Sequence, residues 1–333
     1  MDANDKPLIA IATGDPAGIG PEISMKAALA VGGLCRPILV GDPSIITKHA
    51  KACGIAAPID AVARVRDAKF GAGRIAVLAC ETKEAADIAF GGNSAASGRA
   101  SLAAASAAIK AALAGDVDAV VAAPQNQTSI ALAGIEFDGY PSFVARETGL
   151  DPSDVYLMLC FGDTKIVHAT LHVSVRQAVA MITRERVAHV IAVADKTLKR
   201  LGIASPKIFV GGLNPHAGEG GLFGAEDGEI IKPAIDDAVK RGIRASGPFG
   251  ADTMFHKKDG DAFIVMLHDQ GHITAKLLAR NATAGLAIGS PILFSSVAHG
   301  SGHDIVGKGV ADPTAMIEAI TRLAKARQVA NAA

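Results

Sequence analysis

The chain has 333 residues, half of them hydrophobic but only 4% aromatic and none Trp, with 33 basic against 33 acidic side chains. That length suits one large or two ordinary domains, the Ala, Val, Ile and Leu bulk suits α/β packing, and the even charge excludes the basic footprint of a nucleic-acid binder. No apolar run approaches the ~20 residues of a membrane span, and MDANDKPLIAIATGD, with two Asp before a short apolar run, is unlike a secretory signal, so a soluble, cytoplasmic protein acting on a small molecule is expected.

Residues 7–12 (PLIAIA) read as the first buried strand. Gly14-Asp15-Pro16-Ala17-Gly18-Ile19-Gly20-Pro21-Glu22 follows directly. Its glycines allow close backbone approach and Pro21 suits the first turn of a helix. It lacks the G-K-[ST] ending of a P-loop and the spacing of a dinucleotide fingerprint, so a tight strand-to-helix turn is equally in view, with Asp15 and Glu22 as caps or orienting groups. Residues 37–40 (PILV), 74–78 (RIAVL), 119–123 (AVVAA), 165–169 (KIVHA), 207–211 (KIFVG) and 262–266 (AFIVM) read as further buried strands. Residues 101–113 (SLAAASAAIKAAL) are strong helix formers closed by Gly115. Strands alternating with helices predict parallel βαβ units in a doubly wound sheet. No linker or repeat separates domains, so two domains would share a boundary that the chain crosses twice. Cys35, Cys53, Cys80 and Cys160 are scattered without a C-x-x-C pair, which fits inert thiols in a reducing compartment.

Chemistry-bearing residues cluster at the ends of these strands. The alternation in residues 167–175 (VHATLHVSV) suggests a strand, on which His168 and His172 would share a face about 13 Å apart at ~3.3 Å per residue. His216 lies in the glycine-rich loop 213–221 (LNPHAGEGG), and His268 in 266–272 (MLHDQGH). Ligands of open α/β sheets sit at the carboxyl ends of strands, so His172, His216 and His268 would make an open three-histidine metal site, while each is also readable as a hydrogen-bonded structural histidine. Residues 298–313 (AHGSGHDIVGKGVADP) read either as a surface loop leading, through Asp312-Pro313, into a C-terminal helix or as a nucleotide cradle with Asp304 on ribose hydroxyls.

With GDPAGIGPEI, GLNPHAGEGGLFG, GPFGADT, MLHDQGH and SSVAHGSGHDIVGKGVADPTA in order, the chain resembles the 4-hydroxythreonine-4-phosphate dehydrogenase family from about residue 8 to 320. The resemblance implies an α/β fold of the isocitrate/isopropylmalate-dehydrogenase-like kind, two α/β/α domains with a cleft between them. The expected division is 1–130 plus 285–333, carrying the nucleotide loop, and 131–284, carrying metal and dimer contacts. It further implies a homodimer with its active site at the interface, NAD as oxidant, and a divalent metal, zinc foremost, on His172, His216 and His268. His299, Gly300, Asp304 and Asp312 carry over as cofactor contacts.

Departures from the family pattern point to a branch within it. The chain has Gly139-Tyr140-Pro141-Ser142 where the pyridoxine-pathway members have Gly-His-Thr-Glu, Gln127 for a Lys, Gly285 for a substrate-binding Asn and Phe294 for a substrate-binding Arg. Losing a Lys and an Arg removes much of a phosphate site. Tyr140, Ser142, Gly285, Phe294 and the retained Lys276 then form the expected substrate set. These changes are similar to the terephthalate dihydrodiol dehydrogenase branch, which converts 1,2-dihydroxy-3,5-cyclohexadiene-1,4-dicarboxylate to protocatechuate. The implied chemistry is oxidation of a metal-held hydroxyl followed by loss of CO₂ from the β-keto acid. Lys276, with Asp252 and Asp269 as orienting carboxylates, completes the catalytic expectation. The alternative is a dehydrogenase of a 4-phosphorylated hydroxy acid. Acyl transfer, which gives the histidines no role, and a non-catalytic binding protein are the readings from other classes.

Overall fold

The computed structural model describes residues 6–279 and 283–332, with side chains to residue 327; the acidic start of the chain at 1–5 lies outside the described residues. The chain forms two compact units, 1–149 with 291–333, and 150–290. The first holds β1 (Leu8–Ala12), α1 (Gly20–Val31), β2 (Arg36–Gly41), α2 (Pro43–Ala52), β3 (Ile59–Val62), β4 (Ile75–Ala79), α3 (Ala95–Leu113), β5 (Ala119–Ala122), α4 (Gln127–Leu132) and α5 (Tyr140–Glu147). The second holds β6 (Tyr156–Phe161), β7 (Thr164–His168), α6 (Val175–Met181), α7 (Arg184–Arg200), β8 (Lys207–Gly211), α8 (Lys232–Lys240), β9 (Arg244–Phe249), β10 (Ala262–Val265), α9 (His268–Ala279) and β11 (Ala284–Ile288). The chain then returns to the first unit for β12 (Phe294–Val297) and α10 (Thr314–Ala332).

Strands of the first unit run β3-β4-β2-β1-β5-β12, every pair parallel. Parallel strands are covered on both faces, which is why β1, β5 and most of β2 are fully buried Ala, Val, Ile and Leu. In the second unit the order is β11-β6-β7-β10-β8-β9. There β11/β6 and β6/β7 are antiparallel, whereas β7, β10, β8 and β9 are mutually parallel. The sheet is thus mixed rather than wholly parallel. All seven predicted strands are present, and the predicted helix is the C-terminal part of α3. Ser94 caps α3 by accepting from Ser97 N, extending it upstream of Ser101. The cysteines are thiols rather than disulfides. Burial pushes Cys35 up to about 12 and Cys53 to about 11, so neither is a reactive thiolate at neutral pH.

Two expectations need correction. The alternating run 167–175 is not one strand: β7 ends at His168. Ala169 N still bonds Val265 O, but Thr170 Oγ1 then turns to donate to Met266 O at 2.6 Å, and the chain bends away into α6. The unit boundary also lies elsewhere than at 130 and 285. Residues 131–149 stay with the first unit because Ser106 of α3 donates to Glu147 of α5 at 2.5 Å. Residues 285–288 stay with the second because β11 pairs with β6 in register Gly285↔Leu159.

Candidate active site

In the second unit, β7, β10 and β8 are adjacent and parallel, and a histidine follows the carboxyl end of each. His172 lies in the bend after β7, His268 begins α9 just after β10, and His216 lies in the loop after β8. The His172 and His268 rings are 5.6 Å apart. Because the chain bends after β7, His168 joins them, 6.4 Å from His268 and 4.7 Å from His272. His268 and His272, one helical turn apart, stack at 3.8 Å and 9°.

Hydrogen bonds fix which nitrogens are available. Nδ1 of His168 donates to Leu157 O at 3.3 Å, so its Nε2 accepts from Nδ1 of His272 at 3.1 Å. Nδ1 of His268 donates to Oδ1 of Asp269 at 2.6 Å, leaving the His268 Nε2 lone pair for a ligand. Burial, then the neighbouring His272, pushes His168 down to about 3. Burial, then His268, pushes His272 down to about 4, with the Lys276 ammonium contributing. Both rings are neutral at pH 7. Gly271 allows this approach, since a Cβ there would stand 2.3 Å from His168 Nε2.

The His216 loop has a different architecture. Residues 216–220 all take positive φ, including the non-glycines His216, Ala217 and Glu219 at 54°, 55° and 44°. Such backbone costs of order 1–3 kcal/mol per residue and persists only where its surroundings impose it. Here Asp227, 1% exposed, accepts from Leu213 N at 2.8 Å and Asn214 N at 3.0 Å. Gln270 of α9 donates to Gly212 O at 3.1 Å while its Oε1 accepts from Met266 N and Leu267 N. One glutamine therefore ties the His216 strand end to that of His268. The His216 ring stands 6.2 Å from Phe223. Gly250 separates it from Asp252: a Cβ on Gly250 would lie 3.6 Å from His216 Cα and 2.7 Å from Asp252 Oδ1. Asp252 is exposed in the turn after β9, and Lys276 is exposed on α9.

The first unit carries the remaining expected residues. The hydroxyl of Tyr140 accepts from Gln125 Nε2 at 2.6 Å and donates to Ala123 O at 3.1 Å, and burial pushes its pKa up. Its ring meets Phe294 at 5.0 Å. Phe294 itself is 1% exposed. The expectation that it touches substrate is thus replaced by a supporting role behind Tyr140, because β12 buries it in the core. Ser142 donates to Asp138 at 2.7 Å. Gln127 is exposed at the start of α4. Gly285 is in the second unit, buried in β11. In the 298–313 loop, Gly300 and Asp304 are exposed and His299 is half-buried, its Nδ1 on Gly300 O at 3.1 Å. Asp312 caps α10, accepting from Thr314 N at 2.9 Å and Thr314 Oγ1 at 2.6 Å, which with the nearby His299 holds its carboxyl below the usual range.

Residues 33–323 match the family described as pyridoxal phosphate biosynthetic protein PdxA. The chain belongs to the PdxA family. Among its relatives, a 1,2-dihydroxy-3,5-cyclohexadiene-1,4-dicarboxylate dehydrogenase from Comamonas is 39% identical over 95% of this chain and 96% of its own length. A terephthalate 1,2-cis-dihydrodiol dehydrogenase from Burkholderia xenovorans is 42% identical, with TM-score 0.71, covering 96% of this chain and 98% of its own. A 4-hydroxythreonine-4-phosphate dehydrogenase from Klebsiella pneumoniae is 32% identical, with TM-score 0.86, covering 96% and 99%. A β-decarboxylating dehydrogenase from Thermococcus kodakarensis, at 16% identity and TM-score 0.50 over 94% and 81%, shares the fold. The protein is a PdxA-family dehydrogenase with a mixed α/β fold like that of β-decarboxylating dehydrogenases.

The donor chemistry of this PdxA-family chain fits a divalent metal: imidazoles follow three adjacent strand ends, and Asp269 fixes the tautomer of His268. Among the described residues, no three His, Cys, Asp or Glu side chains converge as a closed ligand set. His172 and His268 come together, whereas the ring contact of His216 is with Phe223. Sequence reasoning set His168 apart from the site and missed His272, Gln270 and Asp227, which with His168 build the surroundings of the expected ligands. The repeated His in MLHDQGH was a signal for His272, one turn after His268. No sequence spacing pointed to Asp227.

Proposed function

We propose that the protein is a metal- and NAD-dependent decarboxylating dehydrogenase of a cyclic cis-dihydrodiol carboxylate, converting terephthalate dihydrodiol to protocatechuate. The observation that carries the reading is the histidine constellation at the ends of β7, β10 and β8, with Asp269 on His268. His172, His216 and His268 would hold the metal, zinc foremost, which supplies Lewis acidity toward the substrate hydroxyl and the oxygen it becomes. Asp269 keeps His268 oriented, the neutral His168 and His272 add no competing charge, and Lys276 binds a substrate carboxylate. In the first unit, Asp304 would accept from the ribose hydroxyls of NAD and disfavour a 2′-phosphate. Phe294 in place of an arginine leaves little for a phosphate dianion to bind. The dihydrodiol dehydrogenases from Comamonas and Burkholderia xenovorans support the substrate class. The likeness to the Klebsiella enzyme favours, as second reading, a 4-phosphorylated hydroxy acid. The protein works as a homodimer in the cytoplasm, with the active site completed at the subunit interface.

The test is stoichiometry. Zinc-loaded protein given terephthalate dihydrodiol is expected to form one NADH and release one CO₂ per molecule consumed, and to stop when the metal is chelated. NADH formation without CO₂, or unchanged turnover after complete metal removal, would overturn the reading.

A further inference from the structure

The stretch from Gly14 to Glu22 has no part in the chemistry above, yet its two carboxylates are among the most buried in the protein. Asp15 is 1% exposed and Glu22 is fully buried. Both turn toward the 298–313 loop. Oδ1 of Asp15 accepts from Ala17 N at 3.0 Å and from the Ser97 hydroxyl, and Oδ2 accepts from Nε2 of His303 at 2.7 Å. Beside it, Ile19 N donates to Ser301 O at 2.8 Å. Gly18 lies so close that a Cβ would stand 2.4 Å from that same oxygen. The Asn126 amide donates to Ser301 Oγ at 3.5 Å. At the far end of the loop, Oε1 of Glu22 accepts from Ala311 N at 2.9 Å. The Lys26 ammonium spans Glu22, Gly309 O and Ala311 O at 2.7, 2.9 and 2.9 Å. The loop is thus pinned at 301–303 and 309–311, while Gly300 and Asp304 stay exposed.

We propose that Asp15 and His303 form a latch that positions the nucleotide loop and sets where the Asp304 carboxylate stands for the ribose of NAD. The proposal rests on the reading of 298–313 as the nucleotide loop. Asp15 is a positioning residue: it is buried and its oxygens are taken by Ala17, Ser97 and His303. A buried carboxylate tolerates desolvation only while its hydrogen bonds are made. Of its three donors, His303 alone belongs to the loop, so loop position and Asp15 satisfaction are one condition. His303 in turn fixes the residue that follows it, Asp304. The first glycine-rich stretch is therefore the seat of the third rather than a ligand cradle of its own.

The experiment uses the full-length, metal-loaded protein and its His303→Leu, His303→Gln and Asp15→Asn variants, with NADH affinity read by fluorescence titration. Metal content and the NAD-over-NADP preference are measured beside it. His303→Leu is expected to weaken NADH binding about tenfold or more, the loss of one hydrogen bond to a charged group, and to narrow the cofactor preference at unchanged metal content. His303→Gln, whose amide still reaches Asp15, is expected to recover most of the affinity, and Asp15→Asn combined with His303→Leu to be no weaker than the weaker single variant. Should Asp15→Asn fail to fold, the Leu and Gln variants decide. Wild-type affinity and preference in His303→Leu would overturn the latch while leaving the loop's role intact. A wild-type protein that binds no NADH would overturn the loop reading and the latch with it.

Discussion

At the scale of single residues, the histidines divide by burial into those that present a nitrogen and those that support one. His168 is 1% exposed, and burial drives its pKa from the ordinary ~6.5 to about 3. Its folded-state value is depressed, so the unfolded chain takes up a proton that the folded chain refuses as pH falls below ~6.5. Stability is then full above that pH and declines by up to ~1.4 kcal/mol per pH unit until about pH 3, with His272 adding its share down to about 4. Metal-free protein is expected to melt progressively lower from pH 7 to pH 5. A His168→Gln variant, less stable throughout, should show a shallower slope in the same calorimetric series. Parallel slopes for the two proteins would mean that His168 does not resist protonation in the folded state. His49, fully buried on α2 with Nε2 on Pro16 O at 2.9 Å, is pushed down by burial as well and contributes in the same direction.

At the scale of elements, the loop after β8 shows how a strained turn is held. Asp227 meets two successive backbone N–H groups, Leu213 and Asn214, one with each oxygen. Asp227→Asn would turn an NH₂ toward one of them. The expected result is a folded protein with about 10–100-fold weaker zinc affinity, the usual cost of losing an orienting partner of a ligand, measured by competition with a chromogenic chelator. Unchanged affinity would separate Asp227 from the placement of His216. Seven strands were legible in sequence because a covered strand is a continuous run such as LIAIA or AVVA, whereas β6, β11 and β12 went unread although mostly buried. β9 was not legible, since Gly247 and Pro248 interrupt its run, and neither was β3, whose IDAV is short and half-exposed. The alternation in VHATLHVSV was genuine, but Thr170 found the Met266 carbonyl just past the end of β10, a tertiary contact without local signature, and the turn followed. The same limit hid Asp15–His303, whose partners are 288 positions apart.

At the scale of the whole molecule, no helix among the described residues is long and apolar enough to cross a membrane. The second unit nonetheless leaves large apolar side chains in the open near the histidine elements: Leu277 is 77% exposed, Leu222 73% and Val175 72%. These side chains are where the proposed homodimer would bury apolar surface. Leu277→Asp is expected to yield monomers by light scattering and to lose most turnover, and a fully active dimer would place the interface elsewhere. The proposed substrate rests on the expectation that Phe294 and Gly285 stand at sequence positions where the phosphate-using members carry an Arg and an Asn. Two missing charge-assisted hydrogen bonds at roughly 1.5–3 kcal/mol each amount to about a hundredfold or more. The deciding measurement is kcat/KM with NAD and zinc for terephthalate dihydrodiol and for phosphorylated hydroxythreonine, side by side on the unmodified protein. The dihydrodiol is expected to exceed the phosphorylated substrate by about a hundredfold or more, and efficient turnover of the phosphorylated substrate, at or above the dihydrodiol rate, would contradict the account.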